Sequence, residues 1–213
     1  MLLYLVRHAQ TASSAIDSFN GQRELPLTEQ GRAQAAKLGE RLKGIEWEAV
    51  YRSPLGRTGE TAALVAPGRE ARILPGLIEI NYGSWEGMTV QEARDLGPAH
   101  YDAWTKDPAT ISPPGGETAT QVAERALAEL EKIRAWHEGS QKPVLAVSHK
   151  ATLRVLGAVL TGGPANKYRT RWPQDECALN LVELRFGKES FLRLWNDTAH
   201  LGQDPGANTR GGK

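Results

Sequence analysis

The sequence predicts an α/β fold, a mostly parallel sheet with helices on both faces. Apolar runs of strand length alternate with longer segments whose apolar residues recur at helical spacing, the order that builds parallel sheets. The runs 2–6 (LLYLV) and 143–147 (PVLAV) are continuously apolar, as strands covered on both faces are. With 213 residues, 40% of them hydrophobic, the chain can bury a sizeable core.

Each element follows from local signals. Residues 2–6 are the first strand, and a loop rich in Ser, Asn and Gly fills 11–26. Thr28 is placed to cap a helix that runs to about Lys43, with Ala35, Leu38 and Leu42 on one face and Gly44 behind it. Residues 49–52 read as the second strand. Ser53-Pro54 opens a helix that Pro67-Gly68 stops, and 72–74 is a third strand. Residues 75–116 are irregular and rich in Gly, Pro and Trp, with short helices expected at 89–96 and 99–104; the segment reads as an insertion over one edge of the sheet and over the site. The clearest helix spans 118–138, with Val122, Ala126, Leu130 and Ile133 on one face. A strand at 143–147 and a helix at 151–160 follow, and strands at 179–185 and 191–195 close the sheet around Gly187-Lys188. One domain is expected over 1–201, and 202–213 (GQDPGANTRGGK) is expected to be a flexible tail.

Composition excludes several function classes. Lys and Arg number 26 against 25 Asp and Glu, a net charge of +1, so no bulk basic face for nucleic acid or anionic membrane is expected. No run approaches the ~20 apolar residues of a membrane span. The apolar start gives way to Arg7-His8 without the features of a signal peptide. Cys177 is the single cysteine, which excludes an intrachain disulfide and multi-cysteine zinc sites and suits a reducing compartment, so a cytoplasmic location is expected.

Ligands of parallel α/β sheets bind beyond the carboxyl ends of the strands. The first strand ends in Arg7 and His8. The second ends in Arg52 and Ser53, with Arg57 a turn into the next helix, and the central strand ends in Ser148 and His149. Paired arginines recognise tetrahedral oxyanions, and a helix N-terminus adds N–H groups and a positive dipole end. A phosphate or sulfate pocket is the expectation. A histidine among cations keeps a ring nitrogen free to attack phosphorus, a second histidine can be held protonated by the phosphate dianion, and the transfer needs positioning and charge rather than a metal. The leaving alcohol needs a proton, which a carboxylic acid supplies when burial or a nearby dianion disfavours its ionised form. The candidate is Glu79 in LIEINYGSWEG, with Glu86 second.

Singly, each residue has an ordinary reading as a strand end, surface arginine, helix cap or loop carboxylate; their convergence is what points to chemistry. His100, His137 and His200 lack such partners, and Trp85 reads as packing. Ser148 sits in no G-x-S-x-G elbow, and residues 115–118 (GGET) are no P-loop.

LVRHAQT from Leu5, FNGQRELPLTEQGRAQA from Phe19, YRSPLGRTGETA from Tyr51, EINYGSWEG from Glu79, PPGGET from Pro113, VSHKATLRVL from Val147 and NDTAHL from Asn196 together resemble, in order, the motifs of the histidine phosphatase superfamily, also called phosphoglycerate mutase-like. The resemblance implies a three-layer α/β/α sandwich with one antiparallel strand. It implies His8 as the phosphorylated nucleophile, Arg7, Arg57 and His149 as the rest of the phosphate pocket, and Glu79 as proton donor. Ser14, Asn20, Gly21 and Tyr82 stand where the family touches substrate. Ala9 and Gln10 depart from the usual Gly and Glu, so residue 9 should not need a positive φ and a charge is lost near the pocket. Val90, and Thr105 with Lys106, stand where glycolytic mutases carry a lysine and an arginine pair. The reading is therefore a metal-independent phosphomonoesterase with no cofactor, acting on a small soluble phosphate ester such as α-ribazole phosphate, a phosphoglycerate or a sugar phosphate, with a homodimer within the family's range. The alternatives are a phosphoglycerate or sugar-phosphate mutase, and a non-catalytic phospho-ligand binding module.

Overall fold

The computed structural model describes residues 1–15, 18–185 and 190–202; the Gly187-Lys188 turn and all but the first residue of the expected tail lie outside them. The sheet contains β1 (Leu2–Arg7), β2 (Ala49–Arg52), β3 (Ala71–Ile73), β4 (Val144–Ser148), β5 (Leu179–Glu183) and β6 (Phe191–Asp197), in the order β3-β2-β4-β1-β5-β6. β1 is parallel to β4, which is parallel to β2, which is parallel to β3. β5 is antiparallel to both β1 and β6, so one strand runs against all the others.

The helices are α1 (Glu29–Arg41), α2 (Gly56–Val65), α3 (Val90–Leu96), α4 (Pro98–Lys106), α5 (Ala119–Trp136), α6 (Lys150–Leu160) and α7 (Tyr168–Arg171). Side-chain caps start three of them. Thr28 accepts the Gly31 N–H, and Thr89 and Thr118 form reciprocal capping boxes with Glu92 and Gln121. Ser53 and Pro54 stay outside α2: the Leu55 N–H turns back to Ser53 Oγ, and the helix starts at Gly56. The four-residue α7 was not foreseen, because YRTR is too short and too polar to show an apolar period.

Strand alternation makes the layers. Leu3 and Leu5 of β1, with Val144 and Ala146 of β4, pack against Ala126, Leu130 and Ile133 of α5 and Leu153 and Leu156 of α6. Val6, Leu145 and Val147 face the other way, onto Ala35 and Leu38 of α1 and Ala62 and Val65 of α2. Each fully buried aliphatic side chain contributes roughly 1.5–3 kcal/mol. This two-sided cover is why both central strands read as unbroken apolar runs.

Between β3 and α5 the chain forms 3-10 turns at Pro75–Leu77 and Gly83–Trp85, then α3 and α4. This stretch builds an aromatic cluster of Phe19, Trp85, Tyr101 and Trp104. Trp85, 2% exposed, is packing, as expected. Tyr82 packs against this cluster and against a second one containing Ile80, Val122, Val155 and Tyr168. Among the described residues no helix is long and apolar enough to cross a membrane.

The sheet's central register positions the site. Arg7 pairs with Ser148 across β1 and β4, so His8 and His149 leave adjacent strands at the same level. His8 N–H donates to the Ser148 carbonyl at 2.9 Å, and Ser53 N–H donates to the Val147 carbonyl at 3.1 Å.

Candidate active site

The side chains of His8, His149, Arg57 and Glu79 are all buried, and the two imidazole centroids lie 5.2 Å apart. His8 Nδ1 meets the Ala9 carbonyl at 2.8 Å. A carbonyl only accepts, so Nδ1 carries the ring proton and Nε2 keeps its lone pair. Burial, followed by the charges of Arg57 and Arg7, holds the His8 pKa well below its ordinary value. Desolvation is thus a larger cause than the neighbouring cations expected from the sequence. His149 is depressed in the same way, by burial first, then by Arg57 and the other surrounding cationic groups. Its Nε2 shares a 2.6 Å hydrogen bond with Ser53 Oγ, while its Nδ1 has no protein partner.

The arginines are held by main-chain carbonyls. Arg57 donates to Arg23 O at 2.7 Å and Gly21 O at 2.8 Å, and Arg7 donates to Gln174 O at 2.7 Å. Among the described residues no carboxylate lies at ion-pair distance from either. Burial lowers both guanidinium pKa values, yet from so high a starting value that both stay charged. Arg7 Nε and both amide atoms of Gln174 are buried without protein partners. A buried donor left unpaired is costly, so Arg7 Nε and Gln174 Nε2 are the groups a bound oxyanion can satisfy.

Glu79 departs from expectation in one respect. Its Oε1 accepts from the N–H groups of Ile80 and Thr152, both at 3.0 Å, and from Thr152 Oγ1 at 3.2 Å; Oε2 accepts from Ala151 N–H at 3.1 Å. The amides at the start of α6 were expected to be free for phosphate. They are engaged by Glu79, because helix-terminal donors take the nearest acceptor. The start of α2 is similar, with Gly56 N–H donating to the Glu24 carboxylate. The charge and donors for an anion therefore come mainly from Arg7, Arg57 and His149, while His8 presents the Nε2 lone pair.

Residues not found from the sequence hold this arrangement. Arg125 donates to Gly76 O and Ile78 O, each at 2.7 Å, and to Glu79 O at 3.2 Å, while pairing with Glu117. Glu117 in turn accepts the Asn81 N–H. Gln22 Nε2 also donates to Glu79 O. Thr61 Oγ1 accepts the Ala9 N–H behind the nucleophile. No local pattern marks them: Glu117 precedes the Thr118 cap and stands eight residues from Arg125, so only the fold brings the two together.

The remaining expected residues fall as follows. Gly21 has φ +45°, its carbonyl holds Arg57, and a Cβ there would lie 2.0 Å from Glu86 Oε1. Glu86 accepts the N–H groups of Gln22 and Tyr82, tying the 75–116 stretch to the loop after β1. Asn20 is half-buried, with its Oδ1 3.4 Å from Ser18 Oγ. Tyr82 packs on Phe19 at a centroid distance of 4.8 Å. Ser14 lies in the 3-10 turn Ala12–Ala15, and its side chain is outside the described part. Ala9 is not among the described positive-φ residues, as expected. Gln10 turns its amide oxygen to Thr28 Oγ1 at 2.8 Å, joining the cap of α1.

Two histidines and two arginines gathered at the carboxyl ends of parallel strands, with the buried Glu79 carboxyl near the arginines, define a phosphoryl-handling α/β enzyme. Comparison with known proteins gives the family. The model of the histidine phosphatase superfamily (branch 1) matches residues 3–198, and the chain belongs to that superfamily. Phosphoserine phosphatase 1 of Hydrogenobacter thermophilus is 30% identical over 94% of this chain and 94% of its own length. The adenosylcobalamin/alpha-ribazole phosphatase of Escherichia coli is 32% identical over 78% of this chain and 81% of its own. The solved structure of Bacillus stearothermophilus YhfR superposes with a TM-score of 0.86 at 33% identity, covering 94% of this chain and 98% of that one.

Proposed function

We propose that this phosphatase of the histidine phosphatase superfamily hydrolyses a small soluble phosphate monoester through a phosphohistidine on His8, with Glu79 as proton donor. The observation that carries the reading is the Ala9 carbonyl on His8 Nδ1, which fixes the tautomer with Nε2 as nucleophile beside His149 and the two arginines. Nε2 attacks phosphorus as the ester P–O bond breaks. The departing oxygen takes the proton of the Glu79 carboxylic acid. Water then attacks the phosphohistidine, Glu79 carboxylate takes a proton from that water, and the P–N bond breaks to release phosphate and His8. Arg7, Arg57 and His149 balance the charge on the transferring oxygens, so no metal step is required.

The phosphate half of the site hangs on β1, β2, β4 and the loop carrying Asn20 and Gly21. The alcohol half is formed by the insertion at 75–116, through Glu79 and Tyr82. Relatives named as phosphatases for phosphoserine, alpha-ribazole phosphate and glucosyl-3-phosphoglycerate support a small ester as substrate. The lone Cys177, buried and unpaired, supports a reducing, cytoplasmic setting.

The test is phosphate release from a panel of esters in EDTA. The expected result is EDTA-resistant turnover, lost in His8→Ala. Glu79→Gln should slow alkyl phosphates far more than p-nitrophenyl phosphate, whose phenolate leaves without a proton. Normal turnover by His8→Ala would overturn the reading.

A further inference from the structure

If Glu79 delivers the proton, the alcohol of the substrate lies beside it, and its substituents reach the side chains that surround Glu79 away from the phosphate. Tyr82 and Tyr168, which feel the Glu79 charge, lead to that side: Tyr82 lies 6.4 Å from Trp104 between ring centroids, Arg154 lies over Tyr168, and Arg169 lies over Trp104. The charges of Glu79, Arg154 and Arg169 all bear on both Tyr82 and Tyr168, so the group forms one electrostatic neighbourhood.

The two arginines differ in what they have left to offer. Arg154 is buried and committed to the main chain: Nε donates to Tyr168 O at 3.1 Å, and Nη2 donates to Arg169 O. Arg169 is half-buried and lies over the Trp104 ring, 4.1 Å from its centroid, with no acidic partner at ion-pair distance among the described residues. A guanidinium stacked on an indole keeps the N–H donors of its edge for a ligand. Neighbouring donors are also unspent. Tyr168 OH and Trp104 Nε1 are buried without a hydrogen bond of normal geometry, the former beside Tyr82. Burial raises the pKa of both tyrosines, so each phenol keeps its proton.

We propose that Arg169, seated on Trp104 beside Tyr82 and Tyr168, selects a phosphate ester whose alcohol carries a carboxylate. One planar fork flanked by neutral donors matches a planar monoanion. A second phosphate dianion would call for a further uncommitted cation, and Arg154 is already engaged. The assignment supplies, from α7, a cation on the alcohol side that Val90, Thr105 and Lys106 had seemed to leave missing. It rests on the phosphohistidine reading and adds the substrate class to it.

Two esters of the same size test it. 3-Phosphoglycerate and glycerol 3-phosphate differ only in a carboxylate against a hydroxymethyl group. The wild-type enzyme should favour the carboxylate ester in kcat/KM by about tenfold or more, the range of a charge-assisted hydrogen bond. Arg169→Met keeps an unbranched stem on Trp104; it should erase that preference, the loss falling on KM for 3-phosphoglycerate far more than on glycerol 3-phosphate. Arg169→Lys should restore part of the preference. Equal losses on both esters would show a merely structural role and overturn the inference, as would a wild-type enzyme that does not distinguish the pair. Failure of wild-type protein to release phosphate from these esters and from p-nitrophenyl phosphate would instead overturn the phosphatase reading beneath it.

Discussion

Replacing Arg125 by Met removes a side chain that touches no reacting atom yet fixes the one proposed to deliver the proton. Its guanidinium makes three bonds to the carbonyls of Gly76, Ile78 and Glu79 and two to the Glu117 carboxylate. Hydrogen bonds to a charged group are worth about 1.5–3 kcal/mol each, but bonds sharing one side chain do not add. Arg125 and Glu117 are 20% and 22% exposed, so water weakens their attraction and solvates whichever partner remains. The combined cost is about 3 kcal/mol of stability, near the lower limit for breaking a buried pair. Function should suffer selectively. Freed from Arg125, the 76–81 stretch lets the Glu79 carboxyl drift, and a misplacement of about 1 Å costs on the order of 100-fold in rate. That loss should appear in kcat for alkyl phosphates and largely vanish for p-nitrophenyl phosphate. Urea unfolding and parallel kinetics on both esters read the two effects. Equal loss on the two, or a stability change below about 1 kcal/mol, would refute the reasoning.

Three further outcomes follow from the same geometry. His8 and His149 are held well below their ordinary value of 6.5, so the unfolded chain binds protons first and stability should fall as pH drops below 6.5, by up to about 1.4 kcal/mol per pH unit for each histidine; a His8→Gln, His149→Gln double variant that keeps the full slope in thermal melts would contradict this. Ser53→Ala leaves His149 Nε2 unpaired in a buried site and should cost about 1–3 kcal/mol together with a fall in kcat, and an unchanged kcat would show that this hydrogen bond does not orient the ring. Burial pushes the Cys177 thiol up to about 12, so the native protein should react with a disulfide reagent at pH 8 only on unfolding; rapid labelling of folded protein would be inconsistent with this environment.

The elements legible in the sequence were those that local rules govern. Thr28, Thr89 and Thr118 announce helices because a cap needs only the next three residues, and β1 and β4 announce themselves because both faces are covered. The pocket was legible because strand ends in a parallel sheet share one edge, so Arg7, His8, Ser53 and His149 needed no long-range information to be grouped. What was not legible depends on contacts between distant segments. Glu79 occupying the start of α6 joins residues more than seventy positions apart, and Ser53 meets His149 from ninety-six away. Nothing local tells Glu79 that the Ala151 amide is its partner rather than a phosphate's. Arg169 was passed over for the same reason: in YRTRW it resembles any surface arginine until Trp104 is folded beneath it.

The pairing of Arg7 with Ser148 has a consequence for how such an enzyme can diversify. Because both histidines step off one rung of the central ladder, their spacing belongs to the sheet's lattice and is insulated from what the surrounding loops do. The chain after β3 and the short α7 can then be rewritten as an interchangeable cassette. Grafting residues 75–116 and 165–174 from one such enzyme onto another is a route to a new ester choice on an unchanged pair of histidines.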